Sequence, residues 1–125
     1  MVLHESAEDY LEKILMLTQR NGQVRSIDIA TEMGYSKPSI SIAMKKLRES
    51  GYIEMSEVGL ITLTESGSEV AHRIYQRHQL LTNILVAIGV DEEEAMEEAC
   101  KIEHDISEET YRKLNAYYEK KMKEQ

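Results

Sequence analysis

The chain has 125 residues, of which 42% are hydrophobic and 30% are charged. It is therefore long enough for one or two small units and too apolar to be disordered by composition. Seven Tyr occur without any Phe or Trp, and there are only one Pro and six Gly, which predicts an aliphatic core built mainly from helices. A lone Cys cannot form an internal disulfide and favours a reducing, cytoplasmic location, and no apolar run reaches the roughly 18 residues of a membrane span.

The charge is unevenly distributed along the chain. Residues 1–64 hold 7 basic and 9 acidic groups and residues 65–125 hold 8 and 14, so the two parts contribute −2 and −6 to the net charge of −8. Such a chain repels nucleic acid overall, so DNA binding requires a local basic surface. Residues 35–50, with four basic groups and one acidic group, form such a segment.

Capping and helix-breaking residues divide the chain into six predicted helices and one β-hairpin. The predicted helices cover residues 5–20, 26–33, 36–50, 65–88, 91–104 and 107 onward, and the predicted strands cover residues 52–57 and 60–64. Helix, helix, turn, helix and hairpin is the order of a winged helix-turn-helix. We therefore predict a mainly α fold, in which a winged helix-turn-helix DNA-binding domain is followed by a helical domain.

The third predicted helix has one apolar and one polar side. At 100° per residue, Ile40, Met44 and Leu47 share the buried side. Ile42 falls on the polar side, where it is either an ordinary exposed apolar residue or a contact for a thymine methyl group. Its basic and hydroxyl neighbours suit phosphate oxygens and favour the second alternative. The predicted DNA-binding residues are Ser36, Lys37, Pro38, Ser39, Ser41, Ile42, Lys45 and Lys46.

Three groups of side chains suit a transition metal. Asp9 and Glu12 share one face of the first helix, and His78 lies in the apolar stripe of the fourth. Cys100, Glu103 and His104 lie within one turn and offer a thiolate, a carboxylate and an imidazole. Each group also has an ordinary interpretation. The first-helix pair would be a solvated face, His78 a hydrogen-bonded core histidine, and the last three residues a chance juxtaposition.

The combined motifs resemble the diphtheria toxin repressor family of iron- and manganese-dependent repressors. They are Glu8-Asp9-Tyr10-x-Glu12, Ser36-x-Pro38-Ser39, Leu63-Thr64-x-x-Gly67, Arg77-His78 and Cys100-x-x-Glu103-His104. The resemblance implies a homodimer that binds an operator in double-stranded DNA when a divalent metal is bound, and so controls genes of metal homeostasis. It also implies a winged-helix domain over residues 1–64 and a helical metal-binding and dimerisation domain over residues 65–125. Because the sequence ends at Gln125, we expect a short form that lacks the SH3-like domain.

The resemblance also implies a metal-ligand set of mixed type. Asp9 and Glu12 match ligands of the manganese branch, whereas Cys100 matches a ligand of the iron branch. The residues His78, Glu103 and His104 match ligands in both. A metal that joins the first-helix pair to the later ligands would fix the first helix against the dimer body and set the spacing of the two recognition helices.

Sulfur is a softer ligand than a carboxylate, so Fe(II) is the expected activator and Mn(II) the next, with Zn(II) or Co(II) as substitutes in vitro. One alternative is a metal-independent winged-helix transcription factor. A remoter alternative is a small enzyme in which Cys100 and His104 act as nucleophile and base, or hold a hydrolytic zinc with Glu103. No membrane partner is expected.

Overall fold

A computed structural model describes residues 5–124 and confirms the mainly α architecture. Its elements are α1 (Glu5–Asn21), α2 (Ser26–Met33), α3 (Lys37–Glu49), β1 (Ile53–Met55), β2 (Ile61–Leu63), α4 (Glu65–Ala87), α5 (Glu92–Ile102) and α6 (Glu108–Lys123). The chain forms two compact units, one up to Arg73 and one from Ile74 onward. Helix α4 thus contributes to both units, and a domain boundary at residue 64 stays a prediction.

The first unit contains the predicted helix-turn-helix. Gly34 ends α2 in the left-handed conformation, with φ of 71°, which glycine adopts without a steric penalty. The chain then enters α3 through Ser36, whose side chain accepts a hydrogen bond from the backbone N–H of Ser39. Apolar residues of all three helices form the core of this unit, including the fully buried Leu11, Ile29 and Ile40.

The two wing strands are shorter than predicted. They pair antiparallel over only three residues each, with Ile53 opposite Leu63. The hairpin gains a further backbone contact from outside, since the N–H of Ile61 donates to the carbonyl of Val24 at 2.8 Å. At the tip, the guanidinium of Arg25 donates a hydrogen bond to the carbonyl of Val58. The wing is thus anchored to the segment between α1 and α2.

Thr64 and Gly67 join the wing to α4. The Thr64 hydroxyl donates to the carbonyl of Gly51 at 2.7 Å and accepts from the N–H of Gly67 at 3.2 Å, so Thr64 caps α4. A Cβ atom at position 67 would lie only 2.0 Å from the carbonyl oxygen of Tyr52. Glycine is therefore required here by the close approach of two backbones and not by its dihedral angles.

In the second unit, α5 ends earlier than predicted. Its last residue is Ile102, whereas the capping pattern placed the end near His104. Glu103 occupies the cap position, with its N–H donating to the carbonyl of Ala99. Asp91 stands at the N-cap position of α5 but makes no side-chain capping bond, so its contribution there is restricted to the favourable helix dipole.

Helix α6 has one apolar side and no buried residue. Tyr111, Leu114 and Tyr118 are only partly buried, and Tyr117 is 62% exposed. Over residues 5–124, no helix combines the length and apolarity that crossing a membrane requires.

We predict that Gly67→Ala destabilises the first unit. Alanine favours a helix interior over glycine by about 1 kcal/mol, but its Cβ would lie on a backbone oxygen that cannot rotate away. The strain should exceed the helical gain and leave a net loss of roughly 2 kcal/mol. Urea unfolding measures the change. Ser66→Ala, at an exposed neighbouring position, is the control and should stay within about 0.5 kcal/mol of the parent; equal stability of the two variants would refute the prediction.

Candidate metal centre

Three side chains of the second unit bring together three kinds of metal-ligand atom. His78 lies on α4, Cys100 lies on α5 and Glu103 follows the end of α5. Nδ1 of His78 is 3.0 Å from a carboxylate oxygen of Glu103 and 3.6 Å from Sγ of Cys100. One ligand atom from each residue lies within 4.8 Å of the others. The sequence-predicted members of this group therefore converge, although they come from two helices and a turn.

Local packing explains how these side chains reach one place. His78 follows Ile74 by one helical turn and precedes Leu81, and all three are buried, so the imidazole is held on the interior side of α4. Helix α5 turns Ala95 and Ala99 inward without exposed surface, and Cys100 follows Ala99 directly. The thiol of Cys100 lies 3.6 Å from Nδ1 of His78.

Glu103 keeps helical geometry although it lies beyond the helix. Its φ and ψ of −56° and −25° continue the spiral of α5, so the i, i+3 relation to Cys100 survives the earlier helix end. The Glu103 side chain has 0% exposure, and its second carboxylate oxygen is 3.5 Å from Nε2 of His104, whose side chain is 3% exposed. A buried carboxylate thus lies between two imidazoles.

The donor set fits a divalent transition metal. Imidazole nitrogen, thiolate sulfur and carboxylate oxygen bind such an ion at about 2.0–2.3 Å, so two ligands of one ion lie roughly 3–4 Å apart. The separations of 3.0 Å and 3.6 Å from His78 agree with that spacing. When bound, the metal would supply positive charge to a cluster of acidic and neutral donors and tie their helices together.

Asp9 and Glu12 belong to α1 in the first unit. One carboxylate oxygen of each lies within 4.8 Å of the other, so the i, i+3 pairing predicted from the sequence exists. Glu12 is only 1% exposed, which excludes the simple solvated-face interpretation for this carboxylate. Burial raises the pKa of the adjacent Tyr10, and Tyr35 and Asp9 act in the same direction, so this phenol stays neutral. The joining of this pair to the later ligands by one metal stays a prediction.

Sequence reasoning overlooked the role of Arg77, although it noted the Arg77-His78 pair. The residue is 7% exposed and donates to the carbonyl oxygens of Glu103 and Ile106 at 3.3 Å and 2.6 Å. The available signal was its spacing, since Arg77 lies three residues after Ile74 and four before Leu81 within the apolar stripe. A charged residue at such a position is rarely buried unless its charge is paired, as that of Arg77 is with Glu108.

The predicted DNA-binding surface is exposed on α3 and its N-terminal cap. Each of the residues that we predicted to contact DNA is exposed, namely Ser36, Lys37, Pro38, Ser39, Ser41, Ile42, Lys45 and Lys46. Ile42 is 59% exposed, whereas Ile40 and Met44 on the other side of α3 are fully buried. The Ser36 hydroxyl also donates to that of Ser39 at 2.9 Å, so Ser36 supports the helix start besides facing outward. Contact of these residues with DNA stays a prediction.

Two family models match this chain in succession. The model described as iron dependent repressor, N-terminal DNA binding domain, matches residues 2–59. The model described as iron dependent repressor, metal binding and dimerisation domain, matches residues 64–123.

Individual relatives agree with the family models. An HTH-type transcriptional regulator of Methanocaldococcus jannaschii is 36% identical over 120 residues, which are 94% of this chain and 96% of that protein. The transcriptional regulator MntR of Escherichia coli O6:H1 is 37% identical over 106 residues, which are 85% of this chain and 68% of the relative. Among solved structures, the manganese regulator SloR superposes with a TM-score of 0.80 at 28% identity, over 95% of this chain and 55% of SloR. The chain thus spans about half the length of that structure.

These relatives are transcriptional regulators and not enzymes, which removes the enzymatic alternative for Cys100 and His104. Matches to both family models, over residues 2–59 and 64–123, show that the chain belongs to the iron-dependent repressor family of metal-dependent, DNA-binding transcriptional regulators.

Proposed function

We propose that this protein is a homodimeric repressor of metal homeostasis genes, activated for operator binding by Fe(II) and, less strongly, by Mn(II). The observation that carries the proposal is the convergence of His78, Cys100 and Glu103 in the unit that follows the wing. An imidazole, a thiol and a buried carboxylate whose ligand atoms lie within 4.8 Å of one another form a donor set for a transition metal. His104, next to Glu103, is the fourth proposed ligand of this group.

The preference for Fe(II) rests on Cys100. Its Sγ lies 3.6 Å from Nδ1 of His78, which brings a soft donor into a set that otherwise offers nitrogen and oxygen. Thiolates favour Fe(II) and Zn(II), whereas sites built from carboxylates suit Mn(II). The matched family models carry iron in their descriptions, but SloR is described as a manganese regulator. The proposed order of activation therefore depends on this one sulfur.

We propose further that Asp9 and Glu12 complete the ligand set and couple metal binding to DNA binding. Both lie on α1, which packs beside the helix-turn-helix, and they match the first-helix ligands of the manganese branch. A metal held by them and by the later ligands would restrict α1 relative to the dimerisation domain. In a dimer, this restriction would hold two recognition helices at a spacing that fits half-sites about one DNA turn apart.

The dimer is supported by the apolar side of α6. A helix with partly buried aromatic and aliphatic residues, and with no buried residue, gains stability when a partner covers that side. Tyr117 and Ile88, which are 62% and 73% exposed, add apolar surface to the same unit. The family model for this region is described as a dimerisation domain, and we propose that a second copy is the partner.

The central experiment titrates operator binding with metal. A duplex selected by the protein from a random-sequence library in the presence of Fe(II) serves as the operator, and affinity is measured anaerobically with Fe(II), Mn(II) and no metal. We expect a gain of at least roughly tenfold, equivalent to about 1.4 kcal/mol of coupling. Asp9→Asn should still bind metal, more weakly, but should lose that gain.

The control for Asp9→Asn is Glu69→Gln, which removes one negative charge from an exposed position of the same unit. This control should keep the metal response, because a general change of charge alters DNA affinity with and without metal alike. A metal response that persists in Asp9→Asn would refute the proposed coupling, and its absence in the parent protein would refute the metal-dependent function.

Substitution of Cys100 tests the metal preference. Cys100→Glu replaces the soft donor by a carboxylate, so activation should shift from Fe(II) towards Mn(II) by roughly tenfold in relative affinity. Cys100→Ala removes a donor and should weaken both metals. Calorimetric titration with each metal measures the ratio, and an unchanged ratio in Cys100→Glu would identify Cys100 as a structural thiol.

Two exposed residues of α3 should affect DNA binding in different ways. Lys46→Ala removes a charge suited to a phosphate, so it should weaken binding to all sequences and reduce the salt dependence by roughly one ion. Ile42→Ala removes an apolar contact and should relax the preference at one base pair by about 1 kcal/mol. Binding to selected and random duplexes at several salt concentrations separates the two effects, and identical behaviour of the variants would contradict the assigned DNA-binding face.

A further inference from the structure

Arg77 connects α4 to the turn that carries two of the proposed metal ligands. This turn, residues 103–107, lies between α5 and α6 and contains Glu103 and His104. The Arg77 guanidinium donates from Nη1 to the carbonyl oxygens of Glu103 and Ile106, at 3.3 Å and 2.6 Å. Its Nη2 donates to the carboxylate of Glu108 at 3.1 Å. A single side chain therefore contacts both ends of the turn and the first residue of α6.

The guanidinium is held firmly in this position. It lies 5.6 Å from the ring centre of Tyr111, a geometry in which the positive charge is attracted to the face of the ring. Arg77 is also 7% exposed, so the loss of its carbonyl partners would be costly, whereas the Glu108 side chain is 57% exposed and its ion pair is screened by solvent. Together these contacts restrict the turn more than its own short backbone would.

Arg77 adds to the backbone and capping contacts that the turn already makes. The N–H of Glu103 bonds to the end of α5, and that of Asp105 bonds to Ile102, but the carbonyls of Glu103 and Ile106 point to the guanidinium. Carbonyl groups at helix ends need such donors from elsewhere. Because the carboxylate of Glu103 and the imidazole of His104 are attached to this segment, its position decides where both ligand atoms lie.

We infer that Arg77 is a positioning residue for the metal centre. It is not itself a proposed ligand, but it holds the turn that carries Glu103, whose carboxylate contacts His78, the next residue on α4, and His104, which lies beside Glu103. This inference rests on the proposed metal function, because it assigns Arg77 a role in the affinity of that site. Groups that orient metal ligands commonly contribute ten- to a hundredfold to metal affinity.

The chemistry of the contacts requires arginine. The planar guanidinium presents several N–H groups in fixed directions, so it can donate to two carbonyls and a carboxylate together. A lysine would supply the charge from a single nitrogen and could not span the same three acceptors. Charge alone would also act in the wrong direction, because a cation beside a metal site repels the ion. Geometry, and not electrostatic attraction, is therefore the proposed contribution.

The test measures Co(II) and Mn(II) binding by calorimetry to the intact 125-residue chain. The variants are Arg77→Met, Arg77→Lys and the control Arg112→Met, which removes the same charge from an exposed position on α6. We expect Arg77→Met to lose roughly ten- to a hundredfold in affinity for both metals. Arg77→Lys should recover only part of this loss, and Arg112→Met should lose less than about threefold.

A second measurement separates positioning from general destabilisation. At saturating Co(II), the absorption from the bond between thiolate and metal reports Cys100, which lies on α5 before the turn. This band should persist in Arg77→Met, while the absorption that reports the coordination geometry of Co(II) changes. Urea unfolding of the metal-free chain shows whether each variant is folded under the conditions of titration.

A matched pair of milder variants keeps the inference testable should Arg77→Met fail to fold. Glu108 and Glu109 both lie in the first turn of α6, but only Glu108 is bound to Arg77, whereas Glu109 pairs with Lys113. Glu108→Ala should weaken Co(II) binding by roughly threefold or more. Glu109→Ala removes the same charge at nearly the same place and should leave the affinity unchanged.

The outcomes distinguish this inference from the proposed function. Should the parent chain bind neither metal, the metal-dependent function itself is wrong. Should the parent bind metal while folded Arg77→Met binds it equally well, or while Glu108→Ala equals Glu109→Ala, Arg77 merely stabilises the helices. Weakened metal binding that is confined to the Arg77 and Glu108 variants, with the thiolate band retained, supports the positioning role.

Discussion

The second unit is organised around a carboxylate that has no access to solvent. Glu103 is 0% exposed, and an isolated carboxylate in such a place would cost several kcal/mol relative to water. Its side chain lies 3.0 Å from His78 and 3.5 Å from His104. Arg77 donates a hydrogen bond to the backbone carbonyl of Glu103. Helix α4 and the turn after α5 therefore supply groups that make this burial tolerable.

The same arrangement suits the cluster both without metal and with metal. Without metal, His78 is a hydrogen-bonding partner of the carboxylate, and His104 lies 3.5 Å from its other oxygen. With metal, the proposed site would exchange these contacts for bonds to the ion, using atoms that are already close together. A cluster prepared in this way loses little conformational freedom on binding. The proposed role of Arg77 extends this preparation to the turn.

Charge divides the protein into regions with different partners. The segment from 35 to 50 carries an excess of basic groups within a chain of net charge −8, and its charged side chains lie on the exposed side of α3. A bound divalent ion would offset two of these negative charges, which would reduce the repulsion from DNA. Metal binding would thus favour DNA binding through net charge as well as through the restriction of α1.

Much of this protein follows from local sequence alone. The order of elements was predictable because Gly34, Pro38 and Thr64 act through local backbone geometry and capping. The buried and exposed sides of α3 followed from helical periodicity, and the proximity of Cys100 and Glu103 followed from their spacing within one turn. Sequence could not determine the end of α5 at Ile102, because helix ends depend on which carbonyls find other donors. Nor could it reveal that Gly67 lies against the Tyr52 carbonyl or that Arg77 holds the turn before α6, because these contacts join residues far apart in the chain. Tertiary structure alone decided them, since a close backbone approach and a buried guanidinium depend on how the helices and the wing pack.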